Sequence, residues 1–119
     1  ASATAAASAR AEGARDALAA ARREIEQRVT TEWNLAVALR AQLPHTADLV
    51  GATREVVDSY MRQYTVGRKS WIDVLNAQRE LTQALYSQAD ARTGALASTV
   101  RLRILVGDHE RRAESGDER

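Results

Sequence analysis

The sequence predicts an all-α chain built as one long antiparallel, coiled-coil-like helical hairpin, and three observations predict it. Two runs carry apolar residues at alternating steps of three and four, the first from Ala11 to Tyr64 and the second from Val74 to Leu105. Between them lies a single short segment with the chemistry of a turn, Tyr64 to Ser70. The composition also lacks the bulk of a globule, with no Phe, 4% aromatic residues, six Gly and one Pro in 119 residues. Much of the 45% apolar fraction is Ala, which buries little area per residue, so stability has to come from long, shallow contact surfaces.

The chain opens on nine uncharged residues, Ala1 to Ala9, with no apolar stretch in front of them, and residues 1–10 are expected to be a frayed start. The first seam then runs through Leu18, Arg22, Ile25, Val29, Glu32, Ala36, Leu39, Leu43, Thr46, Val50, Thr53, Val57, Tyr60 and Tyr64, of which ten of fourteen are apolar. Pro44 falls inside it, removing the hydrogen bond to Arg40. The seam resumes in phase at Thr46 and Val50, and no Gly, Asn or Ser cluster surrounds the proline, so a bend is expected there and not a second reversal.

The turn is placed at residues 65–69. Gly67 stands where the first helix has to stop, and Ser70 followed by Asp73 three residues later is a capping box with Asp in place of Glu. The second seam, Val74, Ala77, Leu81, Ala84, Gln88, Ala91, Ala95, Ser98, Leu102 and Leu105, has small residues through its middle, which let helices approach closely. Beside it lies another stripe, Leu75, Leu85, Ala89, Leu96 and Val100, wider than a two-stranded coiled coil requires, so a further packing neighbour is expected. At about 1.5 Å per residue the helices would extend roughly 80 Å and 50 Å. The hairpin thus occupies residues 11–107, and the charged residues 108–119 are expected to form a disordered tail.

Several function classes are excluded by composition and spacing. Charged residues make up 28% and nearly cancel to +1, without a basic face, which disfavours nucleic acid. There is no Cys, and His45 and His109 belong to no ligand-spaced cluster, so neither a disulfide framework nor a metal site is expected. No Gly-rich phosphate loop, nucleophile elbow or paired catalytic carboxylates occur, and the chain is read as a non-enzyme without cofactors. No run of about eighteen apolar residues is present to span a bilayer as a helix. The unusual chemistry gathers at the tip, where Arg68, Lys69, Trp71, Asp73 and Asn76 lie beside Val66 and Gly67. Trp71 is expected to act as a lid over the end of the helix pair.

The string Tyr64-x-Val-Gly-x-x-Ser-x-Ile-Asp-Val-Leu-Asn-Ala-Gln, with Glu80-Leu81, Ala89-Asp90-Ala91-Arg92 and Leu102-x-x-x-Val-Gly after it, resembles the C-terminal helical hairpin of the TolC family of outer-membrane channels. The resemblance extends backward through Glu26 to Trp33 and covers roughly residues 11–107. It implies a homotrimer in the full-length protein, whose β-barrel crosses the outer membrane of a Gram-negative bacterium and whose helical tube descends through the periplasm. The chain would be one segment of that periplasmic α-helical tube, with membrane contact only through barrel strands that this stretch does not contain.

On this resemblance, a periplasmic adaptor docks at the hairpin tip, Thr65, Val66, Gly67, Arg68 and Ser70, with an inner-membrane transporter of the ABC or RND type behind it. The family's entrance carries an acidic pair and a basic residue that helps to hold it closed. Asp73 matches the first acid and Lys69 the basic position, whereas Asn76 stands where the second acid would be. The implied function is a passive conduit for type I secretion or multidrug efflux. A scaffolding coiled coil that holds two partners at a fixed distance is the alternative, since heptads alone would suffice for it.

Overall fold

The computed structural model describes residues 1–117 and is all-helical, with no strand among them. α1 spans Ser2–Thr65, 64 residues, and α2 spans Trp71–Asp117, 47 residues, giving the helical hairpin with one reversal between them. α1 passes through Pro44 without interruption. The ring lies on an otherwise continuous ladder, and two residues on the Thr46 hydroxyl contacts the carbonyl oxygens of Leu43 at 2.9 Å and Gln42 at 3.3 Å.

Both ends are helical beyond the expected bounds. α1 is already helical from Ser2, where the sequence suggests a frayed start over 1–10, because Ala is the strongest helix former and that stretch is rich in it. α2 continues to Asp117, where a tail is expected from Asp108. Arg111 supports that extension, donating to Asp108 Oδ1 at 2.9 Å and to the Gly107 carbonyl at 3.3 Å. The last two residues of the expected tail, 118 and 119, lie outside the described residues.

By compactness the chain divides into two units, residues 35–100 and residues 1–34 with the stretch from Arg101 onward. In the first, the seam expected from the heptads is the packed interface. Ala36, Val50 and Val57 of α1 and Val74, Ala77, Ala84 and Ala95 of α2 are buried, while Leu39, Leu43, Thr46, Thr53, Leu81, Gln88 and Ala91 are half-buried between them. Small residues keep this seam shallow: a β-carbon added at Gly94 would lie 4.0 Å from Leu39 Cδ2. The most enclosed positions are Val74, 1% exposed, and Ser98, fully buried with a hydroxyl that has no hydrogen-bond partner among the described residues. Leu75, Leu85, Ala89, Leu96 and Val100 stay exposed, so the second stripe takes no part in pairing the two helices.

In the other unit the seam is thinner. Ile25, Val29, Leu102 and Leu105 are half-buried, Leu18 and Arg22 are exposed, and Glu32 occupies its seam position opposite Arg101, whose Nε lies 3.7 Å from Glu32 Oε2. Leu18 and Arg22 still border a hollow shared with His109, Arg112 and Ala113 of α2, so they keep the seam's direction without being covered.

Candidate functional site

The reversal is built from one backbone motif and one side-chain motif, each satisfying groups that a helix end leaves orphaned. Gly67 adopts φ +75°, the left-handed conformation that an L side chain disfavours. With it in that state, the Gly67 N–H donates to the Tyr64 carbonyl at 3.0 Å and the Arg68 N–H to the Gln63 carbonyl at 2.8 Å, the paired bonds of a Schellman stop. The Thr65 hydroxyl caps one carbonyl more, donating to Arg62 O at 2.7 Å.

A β-carbon at Gly67 would meet nothing within 4 Å, so backbone conformation alone selects glycine there. Gly67→Val is accordingly expected to destabilise the hairpin by roughly 1–2 kcal/mol, measured by thermal melting followed by circular dichroism. Gly67→Asn, which tolerates the left-handed region, should cost visibly less. Equal melting temperatures for wild type and Gly67→Val would mean that another residue carries the turn.

α2 opens on a reciprocal cap. Ser70 is its N-cap: the Asp73 N–H donates to Ser70 Oγ at 3.3 Å, and Val74 N–H closes the first helical turn on the Ser70 carbonyl at 3.3 Å. In return Asp73 Oδ2 accepts from the Ser70 hydroxyl at 2.8 Å and the Ser70 N–H at 3.1 Å. These bonds favour the ionised carboxylate and hold Asp73 below its ordinary value of 3.8, the hydroxyl bond most, then the backbone bond; desolvation opposes them and the nearby Lys69 charge adds to them.

Because the folded value is the lower one, the cap's contribution is complete above the ordinary carboxylate range and is lost as pH falls through the lowered value. The amide signals of Ser70 and Asp73 in an NMR titration are expected to hold their folded positions to below pH 3.8 and then move together. In Asp73→Asn that step should vanish, and its persistence would assign it to a different carboxylate.

Of the residues singled out by sequence, the turn brings Gly67, Lys69, Ser70 and Asp73 together, while Val66, Arg68 and Asn76 point outward as exposed side chains. Asn76 lies three positions beyond Asp73, just under one helical turn. Trp71 is half exposed, and its ring meets that of Tyr64 with centroids 5.4 Å apart at 53°, so it closes over its own hairpin end only in part. Tyr64 itself is exposed at the end of its seam. One contact has no counterpart in the sequence reading: the Lys69 ammonium sits 4.3 Å above the centre of the Tyr60 ring. No spacing rule links these two residues, because the connection runs across the turn. Among the described residues there is no cluster of His, Cys, Asp or Glu able to hold a metal ion, and no helix long and apolar enough to cross a membrane.

With the hairpin and its tip described, comparison with protein families is decisive: the model of the family described as outer membrane efflux protein matches residues 1–108. The chain belongs to the outer membrane efflux protein family. The efflux-protein match covers α1, the tip and α2 as far as residue 108, in keeping with the TolC-type resemblance of the turn motif. Members of this family are outer-membrane channels that generally trimerise and work with adaptors and transporters. No curated protein and no solved structure matches the chain.

Proposed function

We propose that the chain is a periplasmic tunnel segment of a trimeric outer-membrane export channel, a passive conduit serving type I secretion or multidrug efflux. A periplasmic adaptor docks at the hairpin tip, Thr65, Val66, Gly67, Arg68 and Ser70, and an inner-membrane ABC or RND transporter delivers substrate. Asp73, Asn76 and Lys69 line the periplasmic aperture, Asp73 as its fixed negative charge and Lys69 as the basic group that favours closure.

The observation that carries this reading is the tip itself. A scaffold hairpin needs only a glycine stop and a cap, yet here the capping carboxylate is ionised, partly exposed and accompanied by a lysine within the same few residues. Arranged about a three-fold axis, such carboxylates form a charged ring at the narrowest point. Single-channel recording of the assembled channel with Asp73 intact and replaced by Asn tests the reading. A structural coiled coil would give no conductance at all, and a conductance indifferent to Asp73 would remove the aperture assignment.

A further inference from the structure

Lys69 is the only lysine in the chain, against sixteen arginines. It is also the basic residue whose ammonium lies over an aromatic ring, 4.3 Å from the centre of Tyr60. Tyr60 stands five residues before the end of α1, at a half-buried seam position on the helix. Lys69 itself is half-buried, although it belongs to a turn whose neighbours Arg68 and Ser70 are exposed. Asp73 is close enough to feel the charge, yet no Lys69–Asp73 ion pair forms among the described residues. The ammonium therefore faces the ring, near the carbonyl end of α1, where a cation is favoured by the helix dipole.

We infer that Tyr60 is a positioning residue for Lys69: its ring holds the ammonium on its own hairpin, beside Asp73, and keeps it from reaching carboxylates outside that hairpin. The residue type suits the task. Both cations can seat over a ring face, but an ammonium is a point charge without the planar fork by which a guanidinium pairs bidentately with a carboxylate. The one lysine among the seventeen Lys and Arg residues falls in this turn. The consequence for a channel, that Tyr60 limits how firmly Lys69 can close the aperture, rests on the function proposed above; the contact between the two side chains does not.

The test uses the whole chain with isotope-labelled lysine, which yields a single ε-methylene signal because there is one lysine to label. In the folded chain that signal is expected upfield of its position in urea, displaced by the Tyr60 ring. Tyr60→Phe should retain the displacement, since cation–π attraction needs the ring and not the hydroxyl, and Tyr60→Leu should abolish it while helix content by circular dichroism stays unchanged. Should Tyr60→Leu lose its helix, a nuclear Overhauser contact between the lysine ε-protons and the Tyr60 ring in the wild type supports the inference, and its absence overturns it. A wild-type signal at the unfolded position, or one that survives Tyr60→Leu in a folded chain, also overturns it. An upfield signal combined with channel currents indifferent to Asp73 would support the positioning role and remove only the aperture assignment.

Discussion

Replacing Ala84 by Leu is expected to be the most damaging single change to the helix pair. Ala84 is 3% exposed in the middle of the α2 seam, flanked along it by half-buried Leu81 and Gln88. The seam is shallow because Ala77, Ala84, Ala91, Ala95 and Ser98 let the backbones approach, so three added carbons have no void to enter. Either the helices separate locally, which uncovers the apolar seam around position 84, or the new side chain leaves its rotamer well. Both routes cost about 1–3 kcal/mol. In a chain of 119 residues each kilocalorie moves the melting temperature by about 4 °C.

The matched control is Ala89→Leu on the exposed stripe, which makes the same chemical change on the same helix with almost the same helix propensity. It should leave the melt unchanged. Thermal unfolding followed by circular dichroism compares the two, and equal melting temperatures would show that the small-residue seam is not close-packed.

The second large effect concerns conduction. In the assembled channel, Asp73→Asn is expected to remove one negative charge per chain from converging tips and with it most of the preference for cations at low salt. The fold should be little affected. An amide oxygen at position 73 still accepts from the Ser70 N–H and hydroxyl that now bond Oδ2, and the Asp73 N–H bond to Ser70 Oγ does not involve the side chain at all. Arg68 and Lys69 already outnumber Asp73 at the tip, so the variant's tip becomes more positive still and anions should gain where cations lose.

Bilayer recordings at low and high salt measure this directly. The change in selectivity should fade as salt rises, since exposed charges are screened beyond about 8–10 Å at physiological ionic strength. Unaltered selectivity with a lower melting temperature would reduce Asp73 to a cap.

Local chemistry made the hairpin legible before any coordinates. Heptad spacing located the seam from Ile25 to Tyr60 and from Val74 to Leu105, because a side chain's face on a helix follows from its position along the chain. Gly67 and the Ser70–Asp73 box were equally readable, since a helix stop and an N-cap satisfy groups only a few residues away. At the two ends local propensity outweighs the lack of buried contacts: α1 begins at Ser2 and α2 reaches Asp117 on alanine content and short-range pairs such as Arg111 with Asp108.

What the sequence could not decide is what meets across the hairpin. Whether a seam position is buried or merely faces the partner depends on how closely two backbones approach, a property of both helices at once. So Ser98, a polar residue, is the most enclosed of the described residues, while Tyr64, paired with Trp71, and Leu18 stay exposed at seam positions. The Lys69 ammonium over Tyr60 belongs to the same class: nine positions apart on different sides of a turn, the two residues share no helical register, and only the folded reversal places a ring beneath the charge.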